Sequence, residues 1–104
     1  MINRTNSFFF TLLLSLLSLT VGAETIEGIV VDARSREPLV GVSVGVKLAR
    51  KLTGGVITDI NGRFKVKTDA EFPLTLEFHY VGYQTTSVLV YDASEEITVT
   101  LTEQ

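Results

Sequence analysis

An all-β fold, specifically a small seven-stranded antiparallel β-sandwich of the transthyretin-like kind, is predicted by three features of this sequence. Short β-type runs recur at close spacing from Glu24 onward, turn signals separate them, and no stretch shows helical periodicity of useful length. The clearest stretch is Val56-Ile57-Thr58-Asp59-Ile60-Asn61-Gly62-Arg63-Phe64, an Asn-Gly turn between two such runs. Asn-Gly tolerates positive φ at both central positions of a tight turn, so a hairpin is expected there.

The elements follow in order. Thr25 to Asp32 is the first expected strand, with Ile26 and Val30 on one face and Ile29 on the other. Ala33 to Pro38 is a polar connection, and Pro38 cannot donate to a ladder. Val42, Val44, Val46 and Leu48 then alternate with Ser43, Gly45 and Lys47, which predicts a strand with one buried face. Thr53-Gly54-Gly55 is expected to break the pattern, leaving a short strand at Val56 to Thr58. Beyond the Asn-Gly turn, Phe64 and Val66 should face inward while Arg63, Lys65 and Lys67 face water. After a polar loop, Leu74, Leu76, Phe78 and Tyr80 alternate with Thr75, Glu77 and His79. A break at Val81-Gly82 precedes a run from Tyr83 to Tyr91, in which Val88 and Val90 compete with Leu89 and Tyr91 for the core face. The last run sets Ile97, Val99 and Leu101 against Thr98, Thr100 and Thr102. Seven strands at this spacing argue a two-layer sandwich or barrel.

Residues 1–23 are expected to be a cleaved signal peptide and take no part in this fold. Arg4 lies in a short polar start without acidic residues, Phe8 to Leu19 is apolar, and Val21-Gly22-Ala23 supplies small residues before cleavage between Ala23 and Glu24. The apolar run falls short of the roughly 20 residues that span a bilayer and stops at Glu24 without a basic flank, which disfavours an uncleaved anchor. Removing 23 of the 104 residues leaves 81, one small domain expected over residues 24–104. The absence of cysteine excludes disulfides and a lipid anchor on a cysteine after the cleavage site.

Taking Arg4 from the nine Lys+Arg leaves eight against twelve Asp+Glu, a formal charge of −4. An acidic domain without a basic cluster is a poor match to nucleic acid or to anionic membrane surfaces. Lys47, Arg50 and Lys51 form a small basic group near an expected turn and are best understood as solvated loop charges.

Chemistry-bearing residues are sparse. His79 is the only imidazole and shares a face with Glu77, the minimum for a base oriented by a carboxylate. No serine, cysteine or second histidine is placed near it by the pattern, so a surface cross-strand pair is expected. One histidine and no cysteine leave zinc without enough ligands. Asp59-Ile60-Asn61-Gly62 lacks the later glycine and glutamate of a calcium loop. Asp69/Glu71 and Glu95/Glu96 sit in or beside loops with no apolar wall to raise a pKa, and Gly54-Gly55 is followed by no Lys-Ser/Thr. Tyr80, Tyr83 and Tyr91 are candidates for stacking on a sugar or peptide, but Tyr80 shares the register of Leu76 and Phe78, which favours core or half-core aromatics. No catalytic, metal or cofactor-binding residue, no cofactor and no enzymatic activity are expected.

Four stretches carry a family resemblance. They are Gly28-Ile29-Val30-Val31-Asp32, Glu37-Pro38-Leu39-Val40-Gly41-Val42-Ser43-Val44, Gly55 to Phe64 through the Asn-Gly turn, and Phe78-His79-Tyr80-Val81-Gly82-Tyr83. In this order and spacing they resemble the carboxypeptidase D regulatory-like domain, a transthyretin-like β-sandwich. The Tyr-Val-Gly-Tyr corner is most similar to the N-terminal extension of SusC/RagA-type TonB-dependent outer-membrane transporters. The resemblance marks Gly28, Asp32, Pro38, Leu39, Gly41, Thr58, Asp59, Gly62, Phe64, Gly82 and Tyr83 as structural motif positions. It implies an accessory module without catalytic residues, periplasmic or associated with the outer membrane.

Three functions are compatible with this. The first is an exported module that docks an envelope protein, such as a TonB-dependent transporter or its energising complex, with the first or last strand as candidate sheet edge. The second is a truncated N-terminal domain of a larger SusC-type transporter, the sequence stopping at Gln104 where the resemblance implies a TonB box. The third is a small carbohydrate- or peptide-binding domain. None requires the domain itself to enter the membrane.

Overall fold

The computed structural model describes residues 22–104, so most of the expected signal segment lies outside the described residues. Seven strands form: β1 (Glu24–Asp32), β2 (Ser43–Leu48), β3 (Lys51–Ile57), β4 (Arg63–Thr68), β5 (Leu74–His79), β6 (Thr86–Val90) and β7 (Ile97–Leu101). They make a three-stranded sheet in the order β4-β1-β7 and a four-stranded sheet in the order β3-β2-β5-β6. The all-β sandwich is therefore as predicted, with one ladder of different sense. Strand direction alternates along the chain, so β1 and β7, both odd in the series, run the same way and pair in parallel from Gly28–Ile97 to Asp32–Leu101. The other ladders are antiparallel. The same order places β1 between β4 and β7, so of the two candidate edges only the last strand is one.

The core lies between the two sheets. Ile26, Val30, Phe64, Val66, Val99 and Leu101 enter it from one side, and Val44, Val46, Leu74, Leu76, Phe78 and Val90 from the other. Period-two alternation in β1, β4 and β5 delivers these residues, as the sequence predicted. In β6 the competing faces resolve with Val90 buried, Val88 packed against the core and Leu89 and Tyr91 exposed. Gly28 faces inward in the same series as Ile26 and Val30. A β-carbon there would sit 2.6 Å from the Phe64 ring, so the missing side chain provides the ring's seat. Seated there, Phe64 meets Phe78 edge-on, with centroids 5.4 Å apart and planes at 70°.

Two turns differ from expectation. The Asn-Gly turn closes no hairpin within a sheet, because it carries the chain from the four-stranded sheet at β3 to the three-stranded sheet at β4. Gly62 N–H donates to the Asp59 carbonyl at 2.9 Å and Asp59 N–H to the Arg63 carbonyl at 3.0 Å. Only Gly62 has positive φ, at 74°, so the geometry is a type I turn followed by a left-handed residue, not the doubly positive turn expected. The tight hairpin is instead Ala49-Arg50, between the Leu48–Lys51 pair, with Ala49 at φ 55°. The sequence predicts a turn near Arg50 and Lys51, and the structure adds its two-residue form, which neither Ala49 nor Arg50 signals by type. Gly54-Gly55, expected to end a strand, stays inside β3 as a bulge. Val44 opposes Val56 and Val46 opposes Thr53, so two glycines face Gly45 alone, and Gly54 takes φ 66°.

Candidate interaction surface at one pole of the sandwich

Alternating strand direction gathers the connections 33–42, 58–62 and 80–85 and the tail 102–104 at one pole. Nine of the eleven motif positions are here: Asp32, Pro38, Leu39, Gly41, Thr58, Asp59, Gly62, Gly82 and Tyr83. Gly28 and Phe64 pair with each other across β1 and β4 in the core below. Ala23 and Glu24 lie away from the pole, at the start of β1.

The motif side chains at the pole bind other parts of the pole. Asp32 Oδ2 accepts the backbone N–H groups of Arg34 at 2.9 Å and Ser35 at 2.8 Å, which shapes the turn after β1. Its Oδ1 accepts the Tyr83 hydroxyl at 2.7 Å, joining that turn to the corner after β5. Leu39 N–H donates to the Val30 carbonyl at 2.9 Å, and Pro38 bridges to Val31, so Leu39 is held against the core. Thr58, buried, accepts the Val42 N–H at 2.9 Å and donates to the Leu39 carbonyl at 2.6 Å. Asp59 Oδ1 accepts the N–H groups of Asn61 and Arg63, each at 2.9 Å, so it too is spent within its own turn.

The corner Tyr80-Val81-Gly82-Tyr83 closes with Tyr83 N–H donating to the Tyr80 carbonyl at 3.0 Å and Gly82 at φ 87°. Gln84 N–H then donates to the Thr102 carbonyl at 2.8 Å, and Gln104 N–H to the Gly82 carbonyl at 2.9 Å. Together with the Tyr83–Glu103 bridge, these bonds clasp the corner to the chain beyond β7, tying the two sheets together.

The sequence profile of the CarboxypepD_reg-like domain matches residues 26–104, which include all of this pole and both sheets. The chain belongs to this carboxypeptidase regulatory-like family. No curated protein matches the chain in sequence. Two solved structures have a similar fold. One is a Streptococcal ancillary pilin, 16% identical with a TM-score of 0.53, covering 81% of this chain and 30% of that one. The other comes from a type II cohesin–X-dockerin complex of Acetivibrio cellulolyticus carrying a C-terminal interface mutation; it is 20% identical with a TM-score of 0.53, covering 76% of this chain and 52% of that one. This chain thus spans less than two thirds of either structure.

Among the exposed polar residues of the pole, such as Arg34, Arg36, Glu37 and Asn61, the regulatory-like domain also turns three apolar side chains outward. Ile60 is 80% exposed and Val81 97%, with Val40 about half exposed, and each stands on a different loop. These positions escaped the sequence reading because an apolar residue in a loop has no period to mark its face. Tyr80 and Tyr83 are half-buried against each other, with centroids 5.3 Å apart, and are largely engaged with the core; Tyr91 is exposed near the opposite end.

Beside the pole, the outer face of the four-stranded sheet holds a polar relay. His79 Nε2 lies 2.6 Å from Glu77 Oε1 and Nδ1 lies 3.2 Å from Thr85 Oγ1, while Lys47 Nζ is 3.5 Å from Glu77 Oε2. The expected Glu77–His79 pair is thus present, but it has hydroxyl neighbours after all: Thr85, and Ser43 directly opposite His79 on β2. Both became neighbours through strand register, which the sequence does not display. The group borders an open cleft of about 480 Å³ lined by Gly41, Ser43, His79, Tyr80, Val81 and Thr85. The His79 donor holds the Glu77 carboxyl below its usual range, helped by Lys47. The Thr–His–Glu order is that of a hydroxyl, a base and an orienting carboxylate. Here the imidazole side chain is 43% exposed, so water competes for each bond. Among the described residues no cluster of three or more His, Cys, Asp or Glu side chains is arranged to hold a metal.

The Asp32–Tyr83 bond predicts a pH profile for the regulatory-like domain. The Ser35 N–H and the Tyr83 hydroxyl lower the Asp32 pKa from 3.8 to about 2. The same bond to Asp32, with burial, raises the Tyr83 pKa from 10.0 to about 12. The Asp32 contribution is complete above its unfolded pKa and disappears as pH falls through the folded value. The Tyr83 contribution is complete below its unfolded pKa and disappears as pH rises through the folded value. Thermal melts followed by circular dichroism should therefore show a plateau between these limits and a fall beyond each. In Tyr83→Phe the alkaline fall due to this group should vanish, and the acid fall due to Asp32 should be smaller and end at a higher pH, its onset still set by the unfolded carboxyl. An unchanged profile in the variant would refute the coupling.

Proposed function

We propose that this regulatory-like domain is a non-catalytic accessory module of the cell envelope, exported by its N-terminal segment, which docks a protein partner through the motif-bearing pole. The observation that carries this reading is the division of labour at the pole. Its motif polar groups, Asp32, Thr58 and Asp59, are consumed in internal hydrogen bonds, while Val40, Ile60 and Val81 point outward from three loops. Exposed apolar groups on loops held by a rigid frame suit protein recognition. The second structural neighbour comes from a complex between protein partners, which is in keeping with this use of the fold. The openness of the Thr85–His79–Glu77 relay, with Glu77 shared by Lys47, weighs against hydroxyl activation there.

The resemblance of the four motifs to the N-terminal extension of SusC/RagA-type transporters supplies the finer reading. The partner is then a TonB-dependent outer-membrane transporter or its energising complex, and the module works in glycan or peptide uptake. A photo-crosslinking residue at Ile60 or Val81, introduced in the native organism, tests it. Adducts containing a TonB-dependent transporter are expected from these positions and not from Thr98 on the other sheet. Equal labelling from Thr98, or recovery of the protein only from the cytosol, would overturn the proposal.

A further inference from the structure

We infer that β6 is a self-pairing edge, through which two copies of this chain join their four-stranded sheets into one continuous eight-stranded sheet. β6 ends the order β3-β2-β5-β6 and bonds only β5 among the described residues. Free edges invite further strands, and proteins usually blunt them with charge, proline, a bulge or a cover. Two of the other three edges carry such devices: β4 alternates Arg63, Lys65 and Lys67, and β3 begins with Lys51 and holds the Gly54-Gly55 bulge. The third, β7, is uncharged and unbroken too, but its exposed residues are Thr98 and Thr100, and the chain beyond it is clasped by Tyr83 and Gln84. β6, Thr-Ser-Val-Leu-Val, has no charge and no proline, and pairs β5 without a break in register. Next to that bare edge, Leu89 is 52% exposed and Tyr91 71%.

The strand is complementary to itself. An antiparallel pair centred on Leu89 sets Leu89 opposite Leu89 of the second copy on the outer face, Ser87 opposite Tyr91, and Val88 opposite Val90 on the inner face. Asp92 then falls opposite Thr86, so no two charges meet. The same operation on β4, centred on Lys65, would set Lys65 against Lys65 and Arg63 against Lys67, a repulsive ladder. Charge thus excludes β4, and the exposed Leu89 and Tyr91 distinguish β6 from the threonine-faced β7; a two-fold contact at β6 closes on itself without forming a fibre. One short strand per copy contributes less than the roughly 1,200–2,000 Å² of stable interfaces, so the dimer must depend on concentration.

The sequence contains no cysteine, so a single introduced thiol reports the register. Directly opposed residues of an antiparallel pair have β-carbons about 4.5–5.5 Å apart, close to the spacing of a disulfide. Leu89→Cys, purified from cells expressing the full sequence, should give a covalent dimer under mild oxidation, and Thr98→Cys on the other sheet should not. In sedimentation, the unaltered protein should pass from monomer to dimer with concentration. Leu89→Lys should raise the dissociation constant at least tenfold without changing the circular dichroism spectrum, because Leu89 lies outside the core. The inference is overturned if the unaltered protein is monomeric at every concentration, if Leu89→Lys dimerises equally well, or if Leu89→Cys oxidises no faster than Thr98→Cys. It is also overturned if β6 instead crosslinks to a different protein. None of these outcomes bears on the docking pole, which is read separately from Ile60 and Val81.

Discussion

Gly62→Ala is expected to destabilise the domain by about 2–5 kcal/mol, measured as a lower urea midpoint at unchanged slope. Two effects combine. The residue sits at φ 74°, where a β-carbon is strained by about 1–2 kcal/mol. That β-carbon would also lie 2.6 Å from the Val30 carbonyl oxygen and 2.9 Å from Pro38 Cβ. Val30 O accepts the Leu39 N–H, and Val30 N–H donates to the Gly62 carbonyl at 2.8 Å, so yielding to the new atom disturbs the links that bind three segments of the pole. Crowding of this kind adds about 1–3 kcal/mol. Gly82→Ala is the matched control: φ is 87°, but nothing lies within 4 Å of the new atom, so only the backbone strain should appear. Equal losses in the two variants would show that the approach to Val30 is of no consequence.

Phe78→Ala should be comparably damaging, with a loss of about 3–5 kcal/mol. Phe78 is fully buried and is among the largest side chains in the core. It lies opposite Val44 on β2 and Thr86 on β6 while its ring meets Phe64 edge-on from the other sheet. Removing it opens a cavity and abolishes the aromatic contact between the layers. A domain of this size has roughly 4–12 kcal/mol in all, so the variant should be partly unfolded at moderate temperature. Phe64→Ala combined with Phe78→Ala should cost less than the sum of the two single changes, since they share one contact. A loss below about 1 kcal/mol in urea titration of Phe78→Ala would show that the core refills the space, contrary to the close packing of protein interiors.

Much of the fold was legible in the residues themselves. Alternation in β1, β2, β4 and β5 identified Ile26, Val30, Val44, Val46, Phe64, Val66, Leu76 and Phe78 as inward-facing, because side-chain direction in a strand has a period of two and needs no partner to be read. Asp59 was recognisable as a turn residue bonding amides ahead of it, for the equally local reason that its carboxylate is short. Where pattern failed, the deciding interaction was remote. Gly54-Gly55 looked like a strand end, yet β2 supplies the register that keeps it in β3 as a bulge. A turn was legible near Arg50 and Lys51, yet its two-residue form, with Ala49 at positive φ, follows only from the pairing of Leu48 with Lys51.

The candidate surface divides along the same line. Sequence by itself determined the strand count, the inward faces, the family motifs and the scarcity of catalytic side chains, all of which depend on residue type and spacing along the chain. Tertiary structure alone decided that β1 is central and pairs in parallel with β7, that nine motif residues meet at one pole, that Thr85 and Ser43 border His79, and that β6 is an uncharged edge with Leu89 exposed on it. These depend on which strands pair and in what register. Both are settled by the burial of two apolar faces against each other, across separations such as the 51 residues between Asp32 and Tyr83, where no local pattern reaches.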